Sequence, residues 1–186
     1  MSSQEQTNNL VRVFEEAVRR FAQHSLFGTK FGVGGVEWMT YGEVGGLVDD
    51  TRAGLAQLGI GRGDAVGIVA NNSVHWAVGA FATYGLGGRW VPMYEAELAE
   101  TWKYILRDSC VKVLIVSKLA IAKTIEGMRE ELPRLTHVIA VEGDGENSLA
   151  ALQQKGRNKP VASIEPEPDE IAGLVYTSLR PNRGVD

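Results

Sequence analysis

The chain has 186 residues, of which 44% are hydrophobic and 23% are charged, the balance of an ordinary soluble globular protein. This length suits one sizeable domain, or one domain with a small appendage. The net charge of −4 gives no electrostatic reason to expect nucleic acid, and the absence of any Lys/Arg-rich block excludes a polybasic membrane patch.

A single cysteine, Cys110, excludes an internal disulfide and a multi-cysteine metal site. It precedes the apolar run 111–116, so we expect a buried structural thiol. The N-terminal residues lack the apolar core of a signal peptide, and no stretch has the length of a transmembrane helix. These features predict a cytoplasmic location or another reducing intracellular compartment, and they leave peripheral membrane association open.

The first region, residues 8–41, is predicted to form a helix followed by a hairpin. Apolar residues recur at three- and four-residue steps over 8–23, which is typical of an amphipathic helix. Two short runs, 30–33 and 36–39, flank the pair Gly34-Gly35, which favours a β-hairpin.

The clearest local signal begins at Thr40. Thr40-Tyr41-Gly42-Glu43 has the form of a capping box, in which the hydroxyl accepts from a free helix N–H and the Glu43 carboxylate reaches back. We therefore predict a helix that starts here and ends near Gly59.

Strands and helices alternate over the region 42–155. Predicted strands cover 65–70, 89–93, 111–116 and 136–141, and predicted helices cover 74–86, 97–107, 118–131 and 148–155. The helix 97–107 is expected to turn Leu98 and Trp102 inward. Strands separated by helices indicate βαβ units. The predicted fold class is α/β, a mostly parallel sheet with flanking helices.

A Pro- and charge-rich stretch, 156–170, is predicted to be a surface loop. It leads to the last region, 171–186, which is expected to hold a buried final strand and an incomplete phosphate loop. Hydroxyls, backbone N–H groups, glycine and a cation after a strand are typical of phosphate binding, and many such loops bind nothing. The candidate ATP-phosphate ligands are Thr177, Ser178, Arg183 and Gly184.

Other candidate residues follow the earlier strands, because ligands of open parallel sheets lie beyond the carboxyl ends of the strands. They are Asn71, Asn72, Ser73 and His75 after the strand 65–70, and Tyr94 and Glu95 after the strand 89–93. The residues 71–73 equally suit a helix cap, and that interpretation is favoured. No Ser/His/Asp set and no metal-ligand spacing is evident, so no catalytic residue and no metal ligand is assigned in this chain.

Several segments in order resemble one family, the adenylate-forming (AMP-binding) enzymes, and among them the long-chain acyl-CoA synthetases. The segments are Trp38-Met39-Thr40-Tyr41-Gly42-Glu43, Leu58-Gly59-Ile60-Gly61-Arg62-Gly63-Asp64, Asn71-Asn72-Ser73-Val74-His75-Trp76, Val91-Pro92-Met93-Tyr94, Tyr104-Ile105-Leu106-Arg107-Asp108-Ser109, Val113-Leu114-Ile115-Val116 and 171–178. The resemblance covers about residues 10–178.

The resemblance implies a fatty acid–CoA ligase reaction in two steps. ATP and a fatty acid give an acyl-adenylate and pyrophosphate with Mg²⁺ present, and coenzyme A then displaces AMP to give the thioester. The family's phosphate loop reads approximately YTSGTTGxPKG. Tyr176, Thr177 and Ser178 match its opening, and Arg183-Gly184 is similar to its Lys-Gly.

After Ser178 the sequence departs from this loop. Leu179 stands where the family has glycine, which adds a Cβ where backbone should approach the phosphate. Pro181 removes an N–H donor from a loop that works through such donors.

Members of this family are much longer than 186 residues. The acyl pocket, the Mg²⁺-binding glutamate and the catalytic lysine of the C-terminal domain would all follow Asp186. We therefore expect residues 1–186 to be a partial N-terminal domain, truncated in the phosphate loop and inactive alone. Two alternatives remain: a non-catalytic interaction or regulatory module that self-associates through exposed apolar surface, and an adenylate-forming enzyme for another carboxylic acid.

Overall fold

The computed structural model describes residues 9–31 and 34–177, and its first part is a helix and a hairpin. Helix α1 spans Leu10–Phe21, and strands β1 (Ser25–Phe31) and β2 (Gly35–Thr40) pair antiparallel. Gly34 has a φ of 98°, a value that suits glycine in this turn. The predicted helix and hairpin are therefore present.

The second part alternates helix and strand. Its elements are α2 (Tyr41–Gln57), β3 (Ala65–Val69), α3 (Val74–Tyr84), β4 (Arg89–Met93), α4 (Ala99–Asp108), β5 (Val111–Val116), α5 (Leu119–Glu126), a 3₁₀ turn (Arg129–Glu131), β6 (His137–Ala140) and α6 (Leu149–Asn158). The four strands form a parallel sheet in the order β4-β3-β5-β6. The α/β fold class, with its parallel sheet and flanking helices, is confirmed.

Helices cover both faces of the sheet. One core cluster joins α1, α2, α3 and α6 to one face, and a second cluster joins α4 and α5 to the other. Every residue of β3 is buried, as a strand covered on both faces requires. The continuous apolar run 65–69 could predict this position in the sheet because it lacks polar alternation.

The capping box at the start of α2 is present. The Glu43 N–H donates to the Thr40 hydroxyl at 3.2 Å, and the Thr40 N–H donates to the Glu43 carboxylate at 2.7 Å. The Thr40 N–H, together with the Thr40 hydroxyl at 3.0 Å from the same carboxylate, lowers the pKa of Glu43 below its usual range. Gly59, with a φ of 80°, follows the end of the helix as predicted.

Three local predictions are wrong. Helix α6 continues through Gly156 to Asn158, so the loop begins later than residue 156. Leu98 is 75% exposed, because it precedes α4 instead of lying on its inner face. Cys110 is exposed: it lies in the tight turn between α4 and β5 with a φ of 54°, a left-handed conformation that the adjacent apolar run does not reveal.

The buried strand predicted after Ile171 is also wrong. The segment forms one parallel bridge, Gly173 to Trp90, at the edge of the sheet. Ile171 is 59% exposed and Val175 is 76% exposed. The described structure places β4 between this segment and β3, so the segment has a strand on only one side.

Candidate functional site

Polar groups, one from the backbone and two from side chains, meet where β3, β4 and β5 end. The carboxylate of Glu95, two residues after β4, accepts from the Asn71 N–H at 3.2 Å. Its second oxygen accepts from the Lys118 ammonium at 2.8 Å. The Glu95 side chain is only 12% exposed, whereas Lys118 is 60% exposed. The cluster Asn71–Glu95–Lys118 therefore joins the carboxyl ends of three neighbouring strands.

This cluster shifts two pKa values in opposite directions. The Lys118 hydrogen bond lowers the pKa of Glu95 most, the nearby Ser117 hydroxyl next and the Asn71 N–H less, and burial opposes this effect. The same hydrogen bond raises the pKa of Lys118. Both groups are therefore held in their charged forms at neutral pH.

We expect an acid-dependent loss of stability from Glu95. A carboxyl whose pKa is lowered in the folded state stabilises the fold above its ordinary pKa, and this contribution is lost as the pH falls through the folded value. Between about pH 5 and about pH 3, wild-type protein should lose more free energy of unfolding than Glu95→Gln. Urea denaturation across this range measures the difference.

The exposed Glu97 provides the control for this prediction. Glu97→Gln should lose stability with falling pH as steeply as wild type does. Parallel acid profiles for wild type and Glu95→Gln would contradict the role of Glu95.

The residues after β3 divide into two kinds. The Ser73 hydroxyl accepts from the Trp76 N–H at 3.3 Å, so Ser73 caps α3, as the favoured interpretation predicts. His75 Nδ1 is buried without a hydrogen-bond partner in the described part of the chain. Burial lowers the pKa of His75, so its imidazole is favoured as the neutral form.

His75 lines an open groove between the hairpin and the start of α3, with a volume of about 1050 Å³. The aromatic and aliphatic side chains of Phe27, Trp38, Met39 and Trp76 make up much of its wall. Tyr94, by contrast, is 70% exposed and does not line this groove; its carbonyl accepts from the indole N–H of Trp102 at 2.8 Å.

The start of the candidate phosphate loop lies beside α4. The Tyr176 hydroxyl donates to the Asp108 carboxylate at 2.5 Å, and the Tyr176 and Tyr104 rings meet edge to face at 6.2 Å. Partial burial, with the Asp108 hydrogen bond, raises the pKa of Tyr176 to about 12. Thr177 follows and is exposed. Ser178, Arg183 and Gly184 lie outside the described residues.

The structure thus joins Asn71 and Glu95 by a hydrogen bond. Among the described residues, 9–31 and 34–177, Thr177 has no hydrogen bond to either of these two. Sequence reasoning missed Lys118, although it is the second residue after β5 and so lies at the same edge of the sheet. It also assigned no role to Asp108, which lies in the family-like segment 104–109 but is 68 residues from Tyr176 in the chain. No group of metal-ligating side chains occurs within the described ranges.

These observations define a class: α/β proteins with an open parallel sheet and polar side chains at its carboxyl edge, the edge at which such sheets bind ligands. A comparison with protein families narrows this class to one family. The model of the AMP-binding enzyme family matches residues 14–178, so the chain belongs to the AMP-binding enzymes. The resemblance read from the sequence is confirmed.

Curated relatives carry the names of long-chain acyl-CoA synthetases. The chain is 29% identical over 185 residues to the peroxisomal long chain acyl-CoA synthetase 6 of Arabidopsis thaliana, covering 89% of this chain and 26% of that protein. It is 29% identical over 145 residues to the long-chain-fatty-acid–CoA ligase FadD15 of Mycobacterium tuberculosis, covering 75% and 24%. The chain therefore spans about a quarter of the length of these relatives.

Solved structures share the fold. A long-chain-fatty-acid-CoA ligase from Archaeoglobus fulgidus aligns with a TM-score of 0.79 at 20% identity, covering 92% of this chain and 34% of that chain. The anthranilate CoA ligase AuaEII in complex with anthranoyl-AMP aligns with a TM-score of 0.76 at 25% identity, covering 91% and 31%.

Proposed function

We propose that the chain is the N-terminal part of a long-chain fatty acid–CoA ligase. The observation that carries this proposal is the family match, which ends at residue 178 and so includes Tyr176-Thr177-Ser178, the opening of the phosphate loop. The names of the curated relatives support a fatty acid as the substrate. ATP would activate the fatty acid as an adenylate, and coenzyme A would accept the acyl group.

Within this chain, the proposed role is limited to phosphate contact. Thr177 and Ser178 would donate hydroxyl hydrogen bonds to ATP, and Arg183 and Gly184 would supply charge and close backbone approach. Thr177 fits this role because its side chain is exposed. For Mg²⁺, the described residues offer no cluster of ligands, so the proposal assigns it none of them.

We expect the purified 186-residue chain to show no ATP–pyrophosphate exchange with palmitate and Mg²⁺. Transition-state stabilisation also depends on groups that bind and activate the carboxylate, and no residue of this chain is assigned that role. A full-length long-chain acyl-CoA synthetase serves as the positive control. Exchange above the no-protein background would contradict this prediction.

Phosphate contact is tested separately by NMR titration with Mg²⁺–ATP, which detects weak binding. Wild type should show saturable shifts at the Thr177 amide, and Thr177→Val should weaken them at least threefold. Thr29→Val, in the exposed part of the hairpin, should have no effect. A wild-type chain with no saturable shift would overturn the phosphate role.

We also propose that the protein is located in the cytoplasm or in another reducing intracellular compartment. One cysteine cannot form an internal disulfide, and the exposed Cys110 thiol suits a reducing intracellular compartment. No described helix has the length and apolar character needed to cross a bilayer.

A second candidate function, a module that self-associates, is favoured by the apolar edge at Ile171 and Val175. Exposed strand edges with apolar side chains pair readily with other chains. Sedimentation equilibrium that shows a concentration-independent monomer would contradict it. The third candidate function is an adenylate-forming enzyme for another carboxylic acid. The anthranilate substrate named for AuaEII supports this candidate.

A further inference from the structure

Few main-chain hydrogen bonds hold the segment that leads into the candidate phosphate loop. The Trp90 N–H donates to the Ala172 carbonyl at 2.9 Å, and the Leu174 N–H donates to the Trp90 carbonyl at 2.9 Å. In a parallel ladder, the next donor from β4 would be residue 92. That residue is Pro92, which has no N–H, so the ladder cannot continue in its regular form past Leu174.

A side chain provides an attachment that the ladder lacks. The Tyr176 hydroxyl donates to Asp108 at 2.5 Å, and this bond is charge-assisted and short. The ring of Tyr176 also meets Tyr104, one turn earlier on α4. Leu174 and Tyr176 both pack against the core cluster on the α4 side of the sheet. Residues 174–176 are thus tied to α4 as well as to β4.

We propose that Asp108 is a positioning residue: it holds Tyr176 and thereby places the hydroxyl of Thr177 for phosphate contact. This inference rests on the proposed function. Asp108 lies at the end of α4 and acts through Tyr176, whereas Thr177 directly follows Tyr176 in the chain. Only the peptide link between residues 176 and 177 separates the held residue from the contacting one.

Hydrogen–deuterium exchange on the full 186-residue chain tests the attachment. Asp108→Asn should increase the exchange rate of the Leu174 amide, which donates to the Trp90 carbonyl, at least tenfold. It should leave β6 unchanged, because β6 lies at the far edge of the sheet. Tyr176→Phe keeps the ring, removes the hydroxyl and should have the same effect. Asp108→Asn removes the negative charge that strengthens this bond, and Tyr176→Phe removes the bond itself, so the double variant should exceed Tyr176→Phe by little.

Glu100→Gln is the matched control on the same helix. Glu100 pairs with Lys103 and is 78% exposed, so the exchange rate of the Leu174 amide should not change. Unchanged exchange of this amide in Asp108→Asn would overturn the proposal.

Pro92→Val separates positioning from general damage to α4. Valine restores an N–H that can donate to the Leu174 carbonyl and so hold the segment on β4. It should therefore slow exchange of the Leu174 amide in the Asp108→Asn background. A disrupted α4 would not be repaired by this change. Failure of Pro92→Val to slow exchange, with fast exchange also throughout α4, would overturn the positioning role.

The effect of Asp108 on phosphate contact is measured as the Kd for ATP in the same Mg²⁺–ATP NMR titration. Asp108→Asn should raise Kd at least threefold, and adding Pro92→Val should return it toward the wild-type value. An unchanged Kd in Asp108→Asn would overturn the proposal that Asp108 places the Thr177 hydroxyl for phosphate contact. If wild type binds no ATP, the proposed phosphate role fails by itself, and the exchange rates still decide whether Asp108 holds the segment.

Discussion

Gly156→Ala should lower the free energy of unfolding by about 3 kcal/mol or more, because it forces two helix backbones apart. A Cβ on Gly156 would lie 1.9 Å from the Asp50 carbonyl oxygen and 2.7 Å from the Gly54 nitrogen. Both of these atoms belong to the backbone of α2, so no side-chain rotation relieves the overlap. Domains of this kind have stabilities of about 5–15 kcal/mol, so the loss is a large part of the total.

The contact between α2 and α6 is close at other positions too. A Cβ on Gly54 would lie 2.6 Å from the Leu152 carbonyl oxygen. Polar side chains join the same two helices: Gln57 donates to the Lys155 carbonyl at 3.0 Å, and Arg157 donates to Asp50 at 2.6 Å. Separating the helices would disturb these contacts together.

Gly46→Ala is the matched control for Gly156→Ala. Gly46 lies in α2 and is exposed, and a Cβ added there would have no neighbouring atom within 4 Å outside its own helix turn. Alanine there should stabilise the helix by about 0.5–1 kcal/mol. Urea denaturation of both variants measures the contrast, and a Gly156→Ala protein within about 1 kcal/mol of wild type would contradict the backbone contact.

Local patterns predicted the sheet well and the helix contacts poorly. The bounds 89–93 and 111–116 agree with β4 and β5, because buried parallel strands are short apolar runs between turns. Gly156 looked like a helix end, since glycine is unfavourable inside isolated helices. The close approach of α2 reverses this preference, and no local pattern encodes a partner about 100 residues away.

In the candidate site too, the sequence predicted local features and missed contacts between residues that are distant in the chain. Asn71 and Glu95 could be predicted because both follow strands that end at one edge of the sheet. The final strand was wrong because an apolar run predicts pairing without revealing that Pro92 lies opposite. The bond between Asp108 and Tyr176 could not be predicted, since it depends on how the chain returns to α4.

Trp90→Ala should lower the free energy of unfolding by about 3–5 kcal/mol, because it leaves a large cavity in the core. Trp90 is 1% exposed, and its ring packs edge to face on Trp76 with centroids 5.8 Å apart. It also covers Gly79, where a Cβ would lie 2.5 Å from the indole ring. Urea denaturation, followed by the fluorescence of the remaining tryptophans, measures the loss.

Two matched variants show which property of Trp90 matters. Its indole N–H is buried without a hydrogen-bond partner among the described residues, so Trp90→Phe gives up no hydrogen bond and should cost only about 1–2 kcal/mol. Trp38→Ala, at a side chain that is 59% exposed, should cost about 1 kcal/mol or less. Equal losses for Trp90→Ala and Trp38→Ala would contradict the cavity argument.

The same residue links the core to the candidate phosphate loop. The backbone of Trp90 bonds to both Ala172 and Leu174, so the position of β4 determines the position of the bridged segment. Trp90→Ala should therefore speed hydrogen exchange of the Leu174 amide, beyond its effect on global stability. Trp90→Phe should preserve protection there, because β4 keeps its packing. Slow exchange of the Leu174 amide in Trp90→Ala would show that the Tyr176 contact to α4 is enough to hold the segment.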